Sequence, residues 1–178
     1  YGFVGPGLNA ANMASRGWLD ESRVWQTGNR SFDTVVTLRP LHRRDLPGYL
    51  AARLGEYLIE FRSKERWDAA IPKPTVLIHR FEDNHSYLVS DSNGQQAFDV
   101  NSSFGGSTEI PGVISAATSI KVLEINADQQ FAKIRLHHHS TRVNYFVPEE
   151  RPFRNPGVAW AVIVDEKIYR ISPRSPLL

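Results

Sequence analysis

Along much of the chain apolar and polar positions alternate with period two, the spacing of a strand that buries one face and wets the other. Residues 32–41 give the clearest case. Phe32, Thr34, Val36 and Leu38 fall on one side, Asp33, Val35, Thr37 and Arg39 on the other, and Pro40 ends the run. A second run, 56–62, puts Tyr57, Ile59 and Phe61 on one face. Residues 75–80 read as a short, well-buried strand, and the Ile71-Pro72-Lys73-Pro74 stretch before them lacks two amides and so cannot lie mid-sheet. Asp83-Asn84 makes the turn into a strand over 86–90. Within 119–126 Ile120, Val122 and Glu124 share a side. After a turn at Ala127-Asp128-Gln129, Phe131, Lys133 and Arg135 alternate with Ala132, Ile134 and Leu136. A terminal hairpin is expected from 158–164 and 167–171 around Asp165-Glu166.

One stretch breaks this rhythm. Asn9 is placed to cap a short helix running to Arg16 and stopping at Gly17, with Leu8, Met13 and Trp18 as its buried contacts. The Ser-, Asn- and Gly-rich segment 91–112 reads as either a surface excursion or a pair of short edge strands. Seven or eight short strands with a single short N-terminal helix predict a mainly β fold, an antiparallel β-sandwich. The expected division is a helical entry segment over 1–30 and a β-sandwich domain over 31–178.

Composition narrows the function classes. With 178 residues and 41% apolar side chains the chain can bury one substantial core. Lys and Arg number 21 against 19 Asp and Glu, with no run of like charge, which argues against a nucleic-acid partner. The absence of cysteine removes disulfides, thiolate nucleophiles and every Cys-containing zinc site. No stretch approaches 18 apolar residues, so no membrane insertion is expected. The first residue is Tyr, which fits a piece of a longer polypeptide.

Candidate chemistry is sparse. His137 and His139 share a strand face, with His138 opposite, and such a pair could hold zinc if His79, His85 or Asp83 approached from another strand. Meeting no spacing signature, the triplet reads more plainly as a solvated strand end. Glu60 and Arg62 share a face and suit an ion pair, while Glu60, Asp68, Glu82 and Asp83 are the acids from which an acid–base pair could be drawn. Gly5-Pro6-Gly7 and Gly105-Gly106 are ordinary turns, and no serine sits in a nucleophile elbow. Asn29, Asn84 and Asn101 open glycosylation tripeptides too short to discriminate. Trp25, Tyr49, Trp67 and Tyr145 are candidates for a face that binds a glycan or a cell-surface ligand, against the plainer reading of core and rim packing.

Two blocks carry a resemblance. Gly5-Pro6-Gly7-Leu8-Asn9-Ala10 with Arg16-Gly17-Trp18-Leu19-Asp20 is the first, and 56–62 with Trp67-Asp68, Ile71-Pro72 and Thr75-Val76-Leu77-Ile78-His79 the second. In order and spacing they resemble the region downstream of catalysis in bacterial immune-inhibitor-A-type, metzincin-like metallopeptidases. The resemblance spans about the first half of the chain. It implies a secreted, bacterial, metalloprotease-like parent and a non-catalytic accessory β-sandwich packing on a catalytic domain or presenting a binding face, and it would make the entry segment 1–30 a remnant of an upstream domain. That family's H-E-x-x-H zinc motif does not occur in this sequence, so no residue inherits a catalytic role and no cofactor is expected. The alternatives are a free-standing, lectin-like glycan binder and a small metal-binding protein built on His137 and His139.

Overall fold

A computed structural model of the chain describes residues 7–28, 31–110, 114–140, 143–145, 160–164 and 167–171, with side chains for 7–28, 31–105 and 117–139. In chain order the elements are α1 (Ala10–Ser15), β1 (Val24–Trp25), β2 (Phe32–Leu38), β3 (Ala51–Leu54), β4 (Tyr57–Arg62), β5 (Thr75–Glu82), β6 (His85–Leu88), β7 (Ser103–Ile110), β8 (Ile114–Asn126), β9 (Phe131–Ser140), β10 (Val143–Tyr145), β11 (Trp160–Val164) and β12 (Lys167–Ile171). Nine of these strands make two sheets, ordered β1-β3-β4-β5-β6 and β2-β9-β8-β7. Every pairing in them is antiparallel except β1 with β3. Strands β10, β11 and β12 form a third, antiparallel sheet that contains the expected terminal hairpin. No helix among the described residues is long and apolar enough to cross a membrane.

The two larger sheets face each other. Val36 and Leu38 of β2, Ile120 and Val122 of β8 and Ile134 and Leu136 of β9 meet Ala52, Leu54, Ile59, Phe61, Val76 and Ile78 of β3, β4 and β5 in one buried cluster. Each fully buried side chain of this kind contributes roughly 1.5–3 kcal/mol, so this layer supplies most of the driving force. On the four-stranded sheet the alternation is as expected, with Ala132, Ile134 and Leu136 inside and Arg135 and His137 outside. Of segment 91–112 the described residues, 91–110, resolve into a buried plug and one edge strand. Phe98 is 1% exposed and pairs with Val76 by reciprocal backbone bonds, and β7 then pairs along β8.

A second, smaller core covers the outer face of the five-stranded sheet, where Ala10, Ala11 and Met13 of α1 pack with Leu19, Val24, Leu41, Leu50, Ala51 and Leu58. The helix is the expected one. Asn9 accepts a hydrogen bond from the Asn12 amide at 2.8 Å, and Gly17 takes the left-handed conformation at φ +68°. Its buried contacts differ from expectation. Ala10, Ala11 and Met13 are inside, whereas Leu8 and Trp18 are 49% and 54% exposed, because one and a half turns cannot bring both flanks onto the sheet.

The facing of Glu124 also departs from the sequence pattern. A bulge between Val122 and Glu124 lets Leu123 out of the ladder, so Glu124 points to solvent and bonds Lys133 Nζ at 2.8 Å, while Ile125 pairs with Ala132.

Candidate functional site

Strand β4 is buried on both faces. Ile59 and Phe61 enter the main core, and the opposite side carries Glu60 and Arg62 beneath the start of α1. A charge cannot sit there unpaired, and this one does not. Arg62 donates from Nε to Glu60 Oε1 at 2.8 Å, from Nη1 to Asp68 Oδ1 at 2.7 Å and from Nη2 to the Leu8 carbonyl at 2.8 Å. The Ala10 amide donates to Glu60 Oε2 and the Gly7 amide to Asp68 Oδ1 at 3.1 Å. His79 Nε2 lies 3.3 Å from Glu60 Oε1, and its Nδ1 meets Ser86 Oγ at 3.2 Å. The expected Glu60–Arg62 ion pair is therefore present, and it clamps segment 7–10 onto the sheet.

Electrostatics keep Glu60 and Arg62 ionised. Burial alone would raise the Glu60 carboxyl, but His79 and Arg62 outweigh it and hold it below the ordinary carboxylate value. Burial would likewise lower Arg62, and Glu60 and Asp68 reverse that and raise it.

Beside the clamp lies a cavity of about 260 Å³, with Leu8, Met13, Leu41 and Trp67 as its apolar wall and His42, Arg44 and Asp68 as its polar one. Local backbone explains the wall. The 3₁₀ turn Arg66–Asp68 opens on Arg66 at φ +52° and sends adjacent side chains to opposite fates, Trp67 66% exposed and Asp68 1%. His42 sits just past the Pro40–Phe61 bridge, in a loop pinned by Arg23, which bonds the carbonyls of Arg44, Leu46 and Gly48, and by Arg39, which bonds those of Pro47, Gln129 and Gln130. Arg44 reaches back to the Trp18 carbonyl at 3.1 Å.

Polar satisfaction fails at this corner. Among the described residues five buried side-chain atoms lack a hydrogen-bond partner, and three of them, His42 Nδ1, His42 Nε2 and Asp68 Oδ2, are on residues that line the cavity. The His42 side chain is only 9% exposed; its Nδ1 stands 3.8 Å from Asp68 Oδ2 and its Nε2 3.9 Å from Glu65 Oε2, both too long for a hydrogen bond. Burial lowers the His42 pKa below 6.5 against the pull of Asp68, so the ring is neutral at neutral pH. Orphaned buried groups concentrated at a cavity mark a place where a water or ligand belongs.

The sequence candidates scatter. Of the four aromatic ones Trp67 alone lines the cavity. Trp25 is half-buried and lies in a T-shaped contact with Phe32 at 5.5 Å, away from this cavity's lining. Tyr49 is exposed beside its bridge to Leu38, and the side chain of Tyr145 lies outside the described residues. His137 and His139 do share a face, with His138 turned toward Phe32 and Thr118 Oγ1. His137 Nδ1 is 3.9 Å from Asp33 Oδ2, a carboxylate already taken by Arg135, and His139 lies 3.5 Å from Ser31 Oγ. His79, His85 and Asp83 belong to the other sheet, and no group of three or more His, Asp or Glu among the described residues could hold a metal ion. Glu82 and Asp83 are exposed at the β5–β6 turn, whereas Glu60 and Asp68 meet through Arg62. His42 escaped notice because it sits in a nonperiodic loop; the two opposite charges inside an apolar run at 57–62 were the visible signal.

No protein-family model, no curated protein and no solved structure matches this chain.

Proposed function

We propose that this chain is a non-catalytic accessory β-sandwich of a secreted, metalloprotease-like polypeptide, and that the cavity between the start of α1 and the 3₁₀ turn at Trp67 is its working surface. The observation that carries this reading is the concentration of unpartnered buried atoms on His42 and Asp68 beside exposed Leu8 and Trp67. The clamp adds a mechanical argument. Segment 7–10 is bonded to Glu60, Arg62 and Asp68, which fixes the Leu8 side of the cavity to the five-stranded sheet. The metalloprotease connection rests on the Gly-Trp-Leu-Asp and Glu-Phe-Arg blocks, whose Trp18, Glu60, Arg62, Trp67 and Asp68 gather around this one corner.

The reading frame upstream of Tyr1 is the first test. An H-E-x-x-H within the preceding ~100–200 residues, a usual domain length, supports the reading, and its absence removes the protease connection. The second compares the parent polypeptide with and without this domain. Hydrolysis of a short soluble peptide should be unchanged while hydrolysis of a particulate substrate falls. Bond cleavage by the isolated chain, abolished by one substitution within it, overturns the reading.

A further inference from the structure

The gap between His42 Nδ1 and Asp68 Oδ2 selects among chemical groups. At 3.8 Å the two atoms are too far apart to bond each other, yet one oxygen about 2.8 Å from each bridges them. Asp68 Oδ2 can only accept, and the neutral imidazole with its proton on Nδ1 donates, so the bridging group must both donate and accept. A hydroxyl does both. An ammonium only donates and would face Arg44 and Arg62 across the cavity; a carboxylate only accepts and would meet Asp68. A metal ion wants at least three ligands and finds two, since the other His42 nitrogen is turned to Glu65. Arg62, which also lines the cavity, uses one N–H of each nitrogen on Glu60, Asp68 and Leu8 and keeps two of its five donors.

The rest of the cavity gives the hydroxyl its scaffold. Trp67, two-thirds exposed at the rim, presents an indole to whatever enters, and Leu8 and Met13 extend the apolar side. A volume of about 260 Å³ lies below the roughly 300–1,000 Å³ of drug-sized pockets, room for one ring and not for an extended chain. We propose that this cavity is a saccharide subsite, taking one neutral pyranose ring against Trp67 with a hydroxyl seated between His42 Nδ1 and Asp68 Oδ2. The inference rests on the reading of the cavity as the working surface and names its ligand class. It also accounts for the orphaned pair, which the fold does not require: neither His42 nitrogen holds any backbone group in place.

The test is a titration of tryptophan fluorescence with three probes, methyl glucopyranoside, methyl mannopyranoside and the methyl glycoside of N-acetylglucosamine. At least one should shift the emission with a Kd on the order of 1 mM, the range of one stacked ring and a few hydrogen bonds. Trp67→Ala, followed by titration calorimetry because it removes the reporting indole, and His42→Leu should each weaken binding by about tenfold or more while leaving the far-ultraviolet spectrum and melting temperature intact, since neither side chain makes a hydrogen bond the fold depends on. Crystals soaked in the bound glycoside should show the hydroxyl between His42 and Asp68. Three outcomes overturn the proposal: no shift with any probe at about 100 mM, binding that survives both variants, or an ordered water alone in the gap of a soaked crystal. Any of these sinks the saccharide and leaves the accessory role to stand or fall on the particulate-substrate comparison.

Discussion

Strands β4 and β9 both put charged residues on the side facing away from the main core, and those charges have opposite physical meanings. On β9, Arg135 bonds Asp33 directly at the surface, with both side chains about half exposed. On β4, Glu60 and Arg62 point away from the same core and are buried again, under α1 and segment 7–10. An exposed ion pair gains little after screening and lost side-chain freedom. A buried one is worth little against an apolar substitute, yet removing one partner strands the other in a medium that cannot solvate it. The same pattern of alternation therefore encodes a wet face in one sheet and a second, charged interior in the other.

The sharpest way to break the comparison is to truncate one arginine on each strand. Arg62→Ala leaves Glu60 and Asp68 buried without their cation and the Leu8 carbonyl without its donor; the expected cost is about 3–5 kcal/mol, or ~10 °C or more in melting temperature for a chain of this length. Arg135→Ala should leave the melting temperature within experimental scatter. Equal losses in thermal unfolding would show that the outer face of β4 is no more interior than that of β9.

Protonation gives a second, smaller contrast. Burial holds His42 below its ordinary 6.5, so the unfolded chain takes up a proton that the folded one refuses. Stability from this residue is complete above pH 6.5 and drains away as pH falls below it. His138 acts in the same direction, lowered first by burial and then by its neighbours His137 and His139. The melting temperature should therefore fall between pH 7.5 and 5.5, and His42→Leu should flatten part of that fall while costing nothing at pH 7.5, because it replaces two unpartnered nitrogens by a side chain needing no partner. A pH slope identical in the variant would place the titration elsewhere. A stabilised His42→Leu protein that has lost ligand binding would be the signature of a group kept for function.

Next in size is the cap. Asn9→Ala removes the acceptor for the Asn12 amide and should cost about 1 kcal/mol, read by urea denaturation. Because α1 supplies Met13 to the cavity wall, hydrogen exchange should quicken in 10–15 before it does in β9. Uniform quickening would mean the helix and the sandwich open as one unit.

These contrasts also explain what the sequence could reveal. Strand β2, β9 and the left-handed Asp83-Asn84 turn were legible because one wet face makes period two visible and a two-residue turn demands residues that tolerate positive φ. Strands β1 and β3 were not: two and four residues, with Ala51, Ala52 and Arg53 among them, carry no alternation when both faces are covered. At the site, Glu60 and Arg62 stood out as charges in an apolar run, and Asp68 was visible as an acid. What joined Asp68 to Arg62 was a 3₁₀ turn six residues on, and what brought His42 alongside was a loop tied by arginines to distant carbonyls. Such long-range backbone contacts leave no local period to read.

The smallest expected effect tests the facing rule itself. On β8 the alternation Ile120, Val122, Glu124 predicted an inward carboxylate, and the chain avoids that burial by extruding Leu123, which is about one-third exposed and pairs with nothing on β9. Without Leu123, Val122 faces in, Glu124 out and Ile125 in, an unbroken period of two that keeps the Glu124–Lys133 and Ile125–Ala132 partners. Deleting Leu123 should therefore be tolerated, changing stability by less than about 1 kcal/mol, where a one-residue deletion in a regular strand would turn every following side chain to the wrong face. A bulge also sharpens the local twist. If β8 needs that twist to lay Ile120 and Val122 against Phe61 and Ile78, the deletion will instead cost as much as a core truncation, roughly 2–5 kcal/mol, and a denaturant midpoint distinguishes the two.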